Sequence, residues 1–239
     1  IIATWQNLLQ EASTANLAEE ITGACNVGAM RNIGRLVLPS LSLFCKKKYP
    51  NMSIITFEKS LTYIVKSLLN HNLDIGFVCL VEINNISTYT LPDSLIFPTL
   101  FECTPHLWLS KQSSYSKNKT LSTDIFRKLP LAFSDAIDLP FHKILFQNNA
   151  YWHQASFYKN PRYLAQTISE NLACCFDLQY GDYGLDLADV FYKHNVKPIP
   201  LLLDAQPKIS AGYLHVSTTT QKNPFCQLIE YYYSHQSPF

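Results

Sequence analysis

Apolar positions recur along the chain with two periods, near 3.6 and near 2, in alternating blocks. Ile1, Ile2, Trp5, Leu8, Leu9 and Ala12 fall at helical spacing before the sequence turns polar, which predicts an amphipathic helix over residues 1–20 with one adhesive face. Residues 21–30 read as a strand. Asn32 then stands as the N-cap of a helix carrying the stripe Ile33, Leu36, Val37, Leu41 and Phe44. Pro39 removes a backbone bond from that helix, at about 3 kcal/mol in a regular interior, and predicts a kink. A turn at Tyr49-Pro50-Asn51 leads to a strand over 53–57, and Ser60 caps a second helix with Leu61, Ile64, Val65, Leu68 and Leu69 on one face. Asn70-His71-Asn72 ends it, and 73–78 is the mostly apolar run of a buried parallel strand. The pattern β-α-β-α-β therefore closes by Val81, the signature of an open α/β sheet.

After a polar loop at 82–94, strand-rich sequence runs from 95 to 110, broken near Thr104-Pro105 and followed by the polar tract 112–120. This marks the passage into a second lobe. There, strands are expected at 129–133 and 154–158 and a helix at 139–146. Asn160-Pro161 supplies an N-cap and an N1 proline for a helix bearing Tyr163, Leu164, Ile168 and Leu172. Further strands are expected at 173–178, 197–203 and 208–217, and a closing helix at 224–235.

Composition narrows the class. With 239 residues, 47% hydrophobic and 15% charged, the chain has material for a substantial core. A net charge of +1 leaves no general basic field for a polyanion, so the chain is a poor nucleic-acid binder by itself. Seven cysteines without C-x-x-C spacing read as reduced, mostly buried thiols rather than a disulfide framework or a zinc site. His106, His142, His153, His194 and His215 show no H-x-x-x-H or H-E-x-x-H spacing, so no metal or other cofactor is expected. No apolar run approaches the ~20 residues that span a bilayer, and no basic-then-apolar leader opens the chain, which points to a cytoplasmic protein. Its opening in mid-pattern on Ile1 is read as the loss of something upstream.

The first third also carries motifs in order. Gly23-Ala-Cys-Asn-Val-Gly28-Ala29 resembles the G-x-L-R-I-G-A strand that opens the effector-binding domain of LysR-type transcriptional regulators, with Cys25 and Asn26 in place of its Leu and Arg. Val37-Leu38-Pro39 is similar to that family's L-L-P, Phe44 with Tyr49-Pro50-Asn51-Met52 to its F-x-x-x-Y-P-x-V, and Leu73-Asp74-Ile75-Gly76-Phe77 to its L-D-hydrophobic-A strand. Beyond that the match rests on element order. Where the family has G-x-G before the last strand of the second lobe, this chain has Asn171-Leu172-Ala173. The resemblance implies two Rossmann-like lobes around a central cleft, of the periplasmic-binding-protein type II kind. It divides the chain into a linker or dimerisation helix remnant over 1–20, lobe I over 21–98 plus 212–239, and lobe II over 99–211. DNA would be bound only through a missing N-terminal winged helix-turn-helix domain.

In open α/β sheets ligands sit beyond the carboxyl ends of the strands, where free N–H groups and helix dipoles attract anions. The resemblance implies effector contacts from Met30, Arg31 and Asn32 and from Lys59, Ser60 and Thr62. Ser134 and Asp135, after the 129–133 strand, are nominated from the second lobe, with Asn160 a weaker candidate. A small carboxylate is the expected effector. Asn32, Ser60 and Asn160 equally serve as plain helix caps, worth about 1 kcal/mol each, and Arg31 and Lys59 as solvated surface charges. A thiol nucleophile at Cys174-Cys175 would need a lowered pKa and a base within reach, and the sequence shows neither; peroxide sensing by Cys103, Cys174 or Cys175 is a subordinate alternative. The expectation is a non-enzymatic sensor acting as a homodimer, or a tetramer in full length, with RNA polymerase as a further partner and no membrane. The alternatives are a free-standing periplasmic-type solute-binding protein of the same architecture and an enzyme on this scaffold.

Overall fold

A computed structural model describes residues 23–83, 85–134, 154–180, 183–184, 188–204, 207–217 and 229, with the backbone alone at 48, 183, 184, 188 and 189. The predicted helices over 1–20 and 139–146, Asp135, and all of the closing helix except the helical, buried Ile229 lie outside these residues.

Three parallel strands open the fold: β1 (Gly23–Ala29), β2 (Met52–Glu58) and β3 (Ile75–Ile83). β1 is central, with Ala29 level with both Glu58 and Phe77. The crossover helices are α1 (Arg31–Lys48) and α2 (Leu61–Leu69). Helix α2 lies unusually close to the sheet because Gly28 and Gly76 pair directly beneath it. A Cβ on Gly76 would fall 2.2 Å from Ile64 Cγ2, and one on Gly28 2.6 Å from Leu73 Cδ1 and 3.1 Å from Ile64 Cγ1. The two glycines thus make a floor for the fully buried Ile64. Asp74, at the mouth of β3, accepts the Asn26 N–H at 2.7 Å while its own N–H bonds to Asn26 O at 2.9 Å, so its carboxylate fastens β3 to β1.

One predicted cap is corrected. The N-cap of α1 is Met30, without a side-chain bond, and Asn32 is already helical, its Oδ1 accepting the neighbouring Ile33 N–H at 2.9 Å. The helix starts early because Met30 is held on both sides: its N–H bonds to Phe77 O and its carbonyl accepts the Gly34 N–H. Pro39 does not end the helix, which runs through it to Lys48. Ser60 and Asn160 do cap their helices, accepting from Tyr63 N and Arg162 N.

The short β4 (Ile86–Ser87) and β5 (Leu95–Ile96) precede the long β6 (Thr99–Ser110). The predicted break at Thr104-Pro105 is instead a change of partners within one strand. Residues 99–103 pair with β13 (Lys208–Val216), which lies antiparallel between β3 and β6. Residues 104–108 pair with β10 (Cys175–Tyr180) and 106–110 with β12 (Val196–Leu202). Pro198 and Pro200 in β12 are two apart, so both missing donors face away from β6. Pro105, by the same alternation, lacks its donor on the β12 side, where pairing with β12 has just ended and pairing with β13 has not begun.

Around this second part lie β7 (Leu121–Ser122), α3 (Thr123–Phe126), the parallel pair β8 (Ala132–Ser134) and β9 (Ser156–Tyr158), α4 (Pro161–Ser169), β11 (Tyr183–Gly184) and α5 (Ala188–Phe191). One face of the second sheet packs Trp108 and Cys175 against Leu164, Ala165, Ile168 and Phe191 of α4 and α5. Asn171, in place of the family's first glycine, takes a left-handed φ of 60°, which asparagine tolerates, so the turn survives the substitution.

Gly76→Ala tests the glycine floor. Pushing Ile64 off the sheet is expected to destabilise the domain by about 1–3 kcal/mol in urea denaturation; an unchanged midpoint would show that the helix is free to shift.

Candidate functional site

The carboxyl ends of β1 and β2 place two groups of predicted residues side by side. Ala29 pairs with Glu58, and the Lys59 N–H bonds to Ala29 O at 3.0 Å, so Met30–Asn32 and Lys59–Thr62 share one edge of the first sheet. Met30 is buried, and Thr62 is exposed on the first turn of α2. Ser60 Oγ accepts the Tyr63 N–H at 3.4 Å. The two cations are engaged within the protein: Arg31 Nε meets Glu58 Oε1 at 2.8 Å, and Lys59 Nζ stands 4.9 Å from the centre of the Tyr63 ring. Both contacts are partly exposed and therefore weak, of order 1 kcal/mol or less. Beside this edge a pocket of about 200 Å³ opens between α1 and β2, bordered by Met30, Arg31, Gly34, Leu38, Thr56 and Glu58, among others.

Ser134 ends β8, which pairs with β9 beside the second sheet. An isolated parallel bridge, Leu131 to Cys174, starts β8 and β10 side by side, and Ala132 and Cys175 share one apolar cluster, so by alternation Ser134 lies on the face of Asp177 and Gln179. On the same face, β10 and β6 pair Asp177 with His106 and Gln179 with Thr104. A polar strip thus continues the apolar row formed by Trp108, Cys175 and Ala132. Asp177, His106 and Gln179 were not singled out in the sequence, although 177 and 179 interrupt an apolar strand at the period of a single face.

The strip is tightly bonded in its middle. Asp177 Oδ2 accepts from Trp108 Nε1 at 3.2 Å and Oδ1 from Leu178 N at 2.8 Å. His106 Nδ1 lies 3.2 Å from Thr104 O and 3.3 Å from Thr104 Oγ1. Burial holds the imidazole below its ordinary pKa, outweighing the Thr104 backbone bond that raises it. The ends of the strip differ: Ser134 Oγ and Gln179 Nε2, in side chains of residues 1% and 3% exposed, have no hydrogen-bond partner.

The cysteines offer no activated thiol among those whose pKa is displaced. Burial pushes Cys45 and Cys174 up to about 12, and a hydrogen bond from the protonated Cys79 thiol to Cys103, together with burial, raises Cys79. The six cysteines among the described residues are all buried. Among the described residues no group of three His, Cys, Asp or Glu side chains could hold a metal ion, and no helix is long and apolar enough to cross a membrane.

No protein-family model and no curated protein matches the chain. Solved structures do. The C-terminal domain of a LysR family transcriptional regulator from Rhodococcus sp. RHA1 superposes with a TM-score of 0.68 at 15% identity, over 90% of this chain and 100% of that one. HinK, a LysR family transcriptional regulator from Pseudomonas aeruginosa, gives 0.67 at 14% identity over 96% and 76%. The reduced OxyR regulatory domain from Pseudomonas aeruginosa gives 0.64 at 13% identity over 92% and 98%. The chain therefore has the two-lobed α/β fold of LysR regulatory domains, a periplasmic-binding-protein type II-like fold. These neighbours are domains of transcriptional regulators, not enzymes.

His106 gives the site a pH signature. Its folded pKa lies below its ordinary value of 6.5, so the unfolded chain binds the extra proton first and stability falls as pH drops through 6.5 towards the folded value. Between about pH 7 and 5 the Tm of the wild type is expected to fall more steeply than that of His106→Gln. Parallel profiles would show that the imidazole is not held neutral.

Proposed function

We propose that this chain is the ligand-sensing domain of a LysR-type transcriptional regulator. It binds a small carboxylate between two lobes and converts occupancy into a change of oligomer geometry. The observation that carries this reading is the convergence of Met30–Asn32 and Lys59–Thr62 at the carboxyl edge of parallel strands, beside strands that run into a second sheet. The free N–H groups in the first turns of α1 and α2 are the natural partners of the carboxylate, since Arg31 and Lys59 are already engaged. Both cations are held weakly enough to turn towards an anion. In this reading lobe I comprises residues 21–98 plus 212–239, lobe II comprises 99–211, and residues 1–20 are the linker helix of a cytoplasmic homodimer, tetrameric in full length. DNA contact belongs to an N-terminal domain and transcriptional output to RNA polymerase. No reaction is catalysed: the ligand acts by preferring one arrangement of the lobes, and oligomer geometry and affinity are reciprocally linked.

A thermal-shift screen of small carboxylates and aromatic acids tests this. At least one acid is expected to raise the Tm of the wild type, with the shift falling by more than half in an Asn32→Ala/Ser60→Ala variant compared against its own ligand-free Tm. A full shift in the variant would remove these residues from the site, and silence across the panel would contradict the carboxylate.

A further inference from the structure

We infer that the second sheet carries a ligand subsite, built on Ser134 and Gln179, that recognises an uncharged oxygen-bearing group: a hydroxyl, keto or amide oxygen. This rests on the function proposed above and specifies the other end of the same ligand.

The inference starts from two atoms. Ser134 Oγ and Gln179 Nε2 are buried and without partners, whereas buried polar groups in folded proteins are almost always hydrogen-bonded. Ser134 lies at the carboxyl end of β8 and Gln179 near that of β10, two strands that start side by side at the Leu131–Cys174 bridge, and by alternation both residues lie on the face that packs Ala132 and Cys175. Carboxyl ends are where α/β sheets receive ligands. The groups between them serve one another or the backbone: Trp108 and Leu178 N donate to Asp177, and His106 Nδ1 meets Thr104. The strip is thus bonded at its middle and open at its two ends.

The donor set specifies the ligand. Gln179 Nε2 is a donor only, so it takes an acceptor; the Ser134 hydroxyl both donates and accepts. The strip formed by Thr104, His106, Asp177, Gln179 and Ser134 contains no lysine or arginine. A carboxylate arriving here would meet neutral donors and a buried acid, with no cation on the strip, and would be poorly solvated. A hydroxyl, keto or amide oxygen satisfies both open atoms without bringing a charge. The first sheet, with Arg31 and Lys59, faces the charged end, so the ligand is a small acid with a neutral polar far end.

Two readouts test this independently. The first needs no ligand. Polar atoms kept open for a ligand burden the ligand-free protein, so Ser134→Ala and Gln179→Met are each expected to raise its Tm by about 2–4 °C. A fall in Tm for both would show that the atoms are satisfied within the protein, and would overturn the subsite. The second uses four probes in calorimetry: butyrate, 4-hydroxybutyrate, succinamate and succinate. 4-Hydroxybutyrate or succinamate is expected to bind the wild type at least about tenfold more tightly than butyrate and succinate, with Gln179→Met erasing the difference and leaving butyrate unchanged. Equal binding of all four overturns the subsite and leaves the carboxylate-sensing reading intact. If none binds, that reading is what fails for this class of acid, and the Tm of the two ligand-free variants decides the subsite alone.

Discussion

Strand β6 bonds to β13 over its first five residues and to β10 and β12 over the rest, and the arrangement of the whole molecule follows from that exchange. A strand that kept one set of neighbours would build one continuous twisted sheet. Pro105 helps impose the change, because it offers no N–H on the side where β12 leaves and β13 arrives. The return path is as direct as the outbound one: β12 and β13 run antiparallel to the same strand, separated only by residues 203–207. Two passages of the chain thus join the two sheets, β6 going out and β12 to β13 coming back. The ring of Phe101 lies against that of Tyr180 at this same level, 4.3 Å between centroids, a contact worth about 1 kcal/mol.

Packing then decides where the edges of the proposed site fall. Helix α2 can lie on the first sheet only because Gly28 and Gly76 leave room for Ile64, and its position brings Ser60 and Lys59 level with Met30 and Arg31. In the second sheet a large apolar anchor does the corresponding job: Trp108 packs edge-on against Phe191 at 4.9 Å and Tyr192 at 5.2 Å, while its indole N–H reaches Asp177. That bond lets a carboxylate be buried beside an aromatic core. It also joins the core to the polar strip, whose ends at Ser134 and Gln179 carry polar atoms without partners.

Much of this was legible in the residues, for identifiable reasons. The β-α-β-α-β opening follows from strict periodicity, and Ser60 and Asn160 cap as their positions require. The cap assigned to Asn32 failed because capping preference is a local signal, whereas Met30 is fixed by a bond from the neighbouring strand at Phe77. Thr104-Pro105 was seen as a break, correctly as a disturbance and wrongly as an end, since proline removes one donor and the strand has two edges. Of the proposed ligand residues, those on the first sheet follow helix starts and are visible in sequence. Gln179 and Asp177 are not, because they sit mid-strand and acquire meaning only when register aligns them with Thr104 and His106.

A crystal structure with the acid that most raises the Tm bears most directly on the central claim, that ligand is held between the two sheets. The account predicts density whose carboxylate lies on the first-turn N–H groups of α1 and α2 and whose far end lies within hydrogen-bond reach of Gln179 Nε2. Density confined to the pocket between α1 and β2, away from the second sheet, would contradict it.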